Sequence, residues 1–249
     1  MSERRTLAEI RAAVADVEGW LTDDQIGRLH TAATRVGAGG TIVEIGSFRG
    51  RSTIVLASSA DPGVAVVAID PHAGNDRGPQ EIDGFVDEAA EDNERFERNL
   101  AEAGVREHVT HHRVFSDDAH DLVDGEIDVL FVDGAHRFGP ARADIRDWGA
   151  RVCPGGRMLI HDSFSSIGVT LAILVELTPS RSWRYVGRSQ SLAEYVCEAR
   201  GVTRPRSNVL TQLGELGWFV RNVLIKVLIV VGLRRWTRVL GHRQESWPY

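Results

Sequence analysis

The chain is 249 residues long, enough for one well-buried core and at most a single domain with an appendage. A hydrophobic content of 43% with 26% charged residues is ordinary for a soluble globular protein, so disorder is not the expectation. The formal net charge of −6 is unevenly spread: residues 201–249 carry eight basic and two acidic side chains, leaving −12 on the first 200, and so acidic a body excludes nucleic acid as its partner.

Apolar positions recur at helical spacing between 7 and 36 (Leu7, Ile10, Val14 and Val17, then Ile26, Leu29, Ala33 and Val36). This spacing predicts two helices, with an N-cap for the second at Thr22. Beyond "GAGG" the pattern alternates. Strands are expected over 41–45, 64–70, 108–115, 127–133 and 156–162, with helices over 50–59, 92–103, 117–123, 140–150 and 168–177. Two last strands, in "WRYVGR" and "SLAEYVCEA", complete seven. Apolar strands separated by helices predict an α/β fold, a Rossmann-like doubly wound seven-stranded sheet that is mostly parallel and ends in an antiparallel closing strand. The expected division is N-terminal helices over 1–39, the α/β domain over 40–199 and a basic, apolar helical extension over 200–249. Segment 71–91 is long for a strand-to-helix connection and carries Asp76, Glu81, Asp83 and Asp87; it reads equally as a substrate lid or a surface insertion. The opening "MSERRTLAEI" lacks the apolar core of a signal peptide, and Cys153 and Cys197 form neither a disulfide framework nor a metal-ligand spacing, so a cytoplasmic location is expected.

The first strand ends in "VEIGSFRGRST", at the sheet edge where doubly wound folds bind ligands. Gly46 and Gly50 permit a sharp turn and a close backbone approach, although many such turns carry glycine for packing alone. Glu44 would repel a pyrophosphate and suits a cationic group such as an α-ammonium. Asp70, ending the next strand, occupies the position of an acid that accepts hydrogen bonds from ribose hydroxyls. The pair points to an adenosine ligand without choosing between a dinucleotide and S-adenosylmethionine (SAM).

"VEIGSFRGRST", "VAIDP", "FSDDA", "LFVDGAH" and "LIHDSF", in this order, resemble class I SAM-dependent methyltransferases over roughly residues 40–199. The nearer resemblance is to metal-dependent O-methyltransferases of the macrolide sugar and cephalosporin-hydroxylase-like branch. It implies that Glu44, Gly46, Ser47, Gly50 and Ser52 lie beside the methionine part of SAM, that Asp70 holds the ribose, and that Asp117 and Asp118 border the adenine. Asp133 would serve both cofactor and metal. Asp133, His161 and Asp162 are the expected ligands of Mg²⁺, with Mn²⁺ the alternative that an imidazole favours. His161 departs from the family pattern and reads equally as a ligand or as a group behind one. His136 is the expected general base. The implied acceptor is a hydroxyl of a sugar, glycoside or polysaccharide precursor. Catechol-like acceptors, a non-catalytic SAM-binding module and a hydroxylase stay open, while a nicotinamide oxidoreductase is disfavoured because no Tyr-x-x-x-Lys pair exists and Lys226 is the single lysine.

Leu213 to Arg243 is apolar for nearly a bilayer's width but includes Arg221 and Lys226, which would be costly at mid-depth. Peripheral membrane contact, with Trp218, Trp236, Arg234 and Arg235 near the headgroups, is one expectation; packing on the domain or across a homodimer is the other.

Overall fold

The computed structural model describes residues 5–73, 86–199 and 206–242. Two helices, α1 (Leu7–Ala13) and α2 (Asp23–Ala33), lead in. Both start in capping boxes: Thr6 with Glu9, and Thr22 with Gln25, whose Oε1 accepts from the Thr22 N–H at 2.8 Å. Then follow β1 (Thr41–Ile45), α3 (Arg51–Ser59), β2 (Ala65–Ile69), α4 (Val86–Glu102), β3 (Val109–His112), β4 (Ile127–Val132), α5 (Phe138–Ala143), β5 (Val152–Ile160), α6 (Ile167–Glu176), β6 (Trp183–Ser189) and β7 (Leu192–Cys197). Helices α7 (Arg206–Gly214) and α8 (Leu216–Val230) and a 3-10 segment, Arg234–Leu240, are the last elements among the described residues.

The seven strands form one sheet in the order β3-β2-β1-β4-β5-β7-β6. The first five are mutually parallel; β7 is antiparallel to β5 on one side and to β6 on the other, so the reversed strand lies inside the edge rather than at it. Alternation along β1 divides the core. Ile42 faces the layer of α1 to α4 with Ile10, Ile26, Leu29, Ile54 and Phe96, while Val43 and Ile45 face Trp148, Met158, Phe164 and Tyr195. Apolar residues on both faces are what a covered parallel sheet requires.

Several expected boundaries move for local reasons. The helix expected over 117–123 is two 3-10 turns, Ser116–Asp118 and His120–Leu122. The helix expected over 140–150 starts at Phe138 and passes into a π-helical turn, Asp144–Trp148. Strand β5 begins at Val152, and its pairing with β4 is interrupted before Arg157, where Gly155 takes φ 89° just after Pro154. Of the expected lid, residues 74–85 lie outside the described residues, and 86–91 belong to α4.

Candidate active site

The carboxyl ends of β1, β2, β4 and β5 converge because neighbouring strands are in register: Ile45 pairs with Ile69 and Val132, and Val132 with Ile160. The next residues of each chain segment therefore meet at one edge. Among the described residues five non-glycine residues have positive φ, and four of them, Phe48, His72, Asp162 and Phe164, follow these strands. Backbone conformations that cost energy concentrate where function constrains the chain.

Asp70 organises the first turn. Its Oδ2 accepts from the Ser47 and Phe48 N–H groups, both at 2.8 Å, and its Oδ1 accepts from the His72 N–H at 2.8 Å. The sequence assigns this carboxylate to a ribose; in the structure it also holds the β1–α3 turn through Ser47 and Phe48 and its own following turn through His72. The two glycines likewise answer to packing. A Cβ on Gly46 would stand 2.4 Å from the Asp133 carbonyl oxygen, and one on Gly50 would stand 2.6 Å from Leu100. Each also has φ 86°, which a side chain resists. Ser52 is buried at the start of α3.

Glu44 is wholly buried beneath the turn, where the Thr53 hydroxyl donates to its Oε2. Burial pushes its carboxyl up to about 8 against the pull of the Ser52 and Thr53 hydroxyls, and the charges of Asp133 and Asp70 push the same way. Glu44 Oε1 and Ser47 Oγ are buried without hydrogen-bond partners. Such orphan polar atoms beside a strained turn mark a place where a ligand completes the bonding. A cation there would ionise Glu44, which fits the ammonium or sulfonium of SAM.

Asp117 and Asp118 are exposed on their 3-10 turn beyond β3. Behind them lies a group that the sequence did not disclose. Asp144, in the π turn, accepts from the Ser116 hydroxyl at 2.5 Å, and burial raises its carboxyl to about 6. It also lies 3.7 Å from where a Gly134 Cβ would stand, so it supports the loop after β4 from below.

The ends of β4 and β5 carry the titratable cluster. His161, 3% exposed, places Nδ1 3.1 Å from Asp133 Oδ1 and 3.7 Å from Asp162 Oδ1. Asp162 Oδ2 in turn lies 2.5 Å from His136 Nε2. Burial works to raise the Asp162 carboxyl, but the imidazoles of His161 and His136 outweigh it and, with Lys226 beyond, hold it well below the usual carboxylate range. His136 Nδ1 is buried without a hydrogen-bond partner. The His136 ring lines a small cleft with Asp133, Gly134, Ala135 and His161. Its backbone is clamped from α6: Ser166 Oγ donates to the His136 carbonyl at 3.3 Å, and a Cβ on Gly168 would stand 2.2 Å from that oxygen.

The expected metal ligands are thus together, but in a different relation. Among the described residues no group of three histidine, cysteine or acidic side chains is disposed to hold a metal ion. One ring nitrogen, His161 Nδ1, faces both carboxylates, at 3.1 Å from Asp133 Oδ1 and 3.7 Å from Asp162 Oδ1, and Asp162 Oδ1 is buried without a hydrogen-bond partner. With an imidazole among them, Asp133, His161 and Asp162 depart from the all-oxygen ligand set that Mg²⁺ takes, and Mn²⁺ accepts such a set more readily.

The family model described as "Methyltransferase domain" matches residues 43–163. Among solved structures the chain is similar to the O-methyltransferase NovP, at 16% identity over 77% of this chain and 88% of that one, with a TM-score of 0.60. It is similar to the O-methyltransferase TomG from Streptomyces achromogenes, involved in tomaymycin synthesis and solved in complex with SAM, at 19% identity, 80% and 92% coverage and a TM-score of 0.53. An O-methyltransferase from Bacillus cereus in complex with SAH matches at 16% identity, 76% and 88% coverage and a TM-score of 0.54. At these identities the likeness is one of fold. Residues 43–163, just under half of the chain, are similar to that methyltransferase family.

Proposed function

We propose that the protein is a SAM-dependent O-methyltransferase in which His136 is the general base, and that the observation carrying this reading is the His136–Asp162 pair at 2.5 Å. With Asp162 held ionised, the proton between them resides on Nε2, and Nδ1 is the nitrogen left to accept one. The acceptor oxygen attacks the methyl carbon of the sulfonium as the C–S bond breaks to leave a neutral thioether. The hydroxyl proton passes to His136 Nδ1, and the Asp162 charge stabilises the imidazolium so formed. Glu44, Ser47 and the Asp70-braced turn receive the methionine end of SAM, and the exposed Asp117 and Asp118 lie toward its adenine.

A hydroxyl of a neutral sugar, glycoside or polysaccharide precursor is the acceptor this reading favours, because the acidic residues of segment 71–91 would repel a polyanion. No step is routed through a metal. The test is methyl transfer from labelled SAM to panels of glycosides and catechols, with and without chelator. Label in a glycoside, unaffected by chelator, is expected. Transfer only to catechols would overturn the acceptor class, and activity abolished by chelator and restored by Mg²⁺ would overturn the metal-free route.

A further inference from the structure

Helix α8 meets the protein with a mixed face that includes buried polar groups and meets solvent with an apolar one. On the inner side Asn222 and Ile225 are fully buried; Asn222 Nδ2 donates to the Phe164 carbonyl at 3.2 Å, and Lys226 Nζ donates to the Ser165 carbonyl at 2.9 Å. On the outer side Val220, Leu224, Val227 and the cap residue Val231, spaced along one helical face, are 48% to 58% exposed. A surface helix of a water-facing domain has the opposite polarity. The 3-10 segment that follows exposes Trp236 at 51% and Val239 at 78%, together with Arg234, Arg235 and Arg238.

We propose that this outer face of α8 and the 3-10 segment after it dock on an anionic lipid surface. Charge selects this occupant. Between 216 and 242 the chain has five basic residues and no acidic one, on a protein whose first 200 residues carry −12. A second copy of the chain would bring two such basic faces together, whereas an anionic membrane matches both the apolar stripe and the charge. Trp236, with Arg235 5.7 Å from its ring centre, has the amphipathic form that settles at headgroup depth. Docking is peripheral. With 15 residues α8 is about 22 Å long, short of a hydrocarbon core of about 30 Å, and among the described residues no helix is long and apolar enough to cross a membrane. Because Asn222 and Lys226 hold the loop just after Asp162, the docked face is the back of a helix that braces the active-site edge, which would bring an interfacial acceptor close to that edge.

The test is co-flotation of the full-length protein with vesicles of phosphatidylcholine alone or with phosphatidylglycerol at 30 mol% (about a third of the lipid), at low and high salt. It reads lipid binding, so it stands or falls apart from the methyl-transfer reading. Binding to the anionic vesicles only, weakened by salt, is expected. Arg234→Gln with Arg235→Gln should weaken partitioning roughly 30-fold, and Leu224→Gln with Val227→Gln should abolish it, with the thermal melt of each variant recorded to show that it is folded. No flotation of the wild type with anionic vesicles would overturn the proposal. So would a stable dimer in analytical ultracentrifugation that Leu224→Gln with Val227→Gln dissociates, which would assign the stripe to a second copy.

Discussion

The two halves of the active-site edge are built by different means. At the ends of β1 and β2 the working parts are backbone: three N–H groups turned onto Asp70 and a turn whose glycines are pressed against β4 and α4. At the ends of β4 and β5 they are side chains, an alternating run of Asp133, His161, Asp162 and His136. The first half is a rigid receptor whose shape the fold determines; the second is a proton-handling device whose output depends on single groups. A substitution in the first should damage stability and cofactor affinity together, whereas one in the second should damage turnover alone.

The largest effect falls on the side-chain half. His136→Ala should lower kcat by about 10²- to 10⁴-fold, the usual contribution of a positioned general base, with SAM affinity within about twofold of wild type. Near-normal turnover in the labelled methyl-transfer assay would remove His136 from the mechanism and erase the contrast. The backbone half should respond in the other currency. Asp70→Asn turns an amide against donors that now meet an ionised carboxylate, so urea denaturation should show a loss of about 2–3 kcal/mol accompanied by weaker SAM binding. Unchanged stability would mean that the turn holds its shape without Asp70.

Glu44 gives the smallest effect and a sign that can be checked. Its folded-state pKa, about 8, lies above its ordinary 4.5, so the folded protein keeps a proton that the unfolded chain has released. Stability from this group therefore falls as pH rises across that window. Asp144, raised to about 6, contributes only to the lower part. Between pH 6 and 8 the decline attributable to Glu44 is of order 2 kcal/mol, and Glu44→Gln should flatten it in denaturation curves taken at each pH. A variant with the wild-type slope would place the proton elsewhere.

Much of this edge was legible in the sequence for a physical reason: strand period, helix period and capping are local. The Thr22 cap, the alternation of strands and helices, and the positions of Asp70, Asp133 and Asp162 at strand ends follow from neighbours within a few residues. What escaped was set by contacts across the fold. Nothing near Asp70 in the chain shows that Ser47 and Phe48, more than twenty residues earlier, will turn their N–H groups onto it. Gly46 reads as freedom for a ligand, while its restriction comes from the Asp133 carbonyl on another strand. Asp144 sits where the periodicity reads plain helix, and the π turn that buries it against Ser116 has no signature in spacing. Asp133, His161 and Asp162 suggested a metal, and sequence alone does not reveal that His161 Nδ1 comes to lie 3.1 Å from Asp133 and 3.7 Å from Asp162. Gly168 was the one available hint of the clamp on His136, since a glycine at a helix start so near the base fits a close backbone approach.

The central claim is that the β1–β2 half receives SAM while the β4–β5 half performs the transfer. Calorimetric titration of SAM into the wild type, His136→Ala and Asp70→Asn tests it most directly. The account predicts saturable binding with one site per chain, preserved in His136→Ala and weakened in Asp70→Asn. Absence of binding by folded wild-type protein, or affinity lost with His136 and kept without the Asp70 carboxylate, would contradict it.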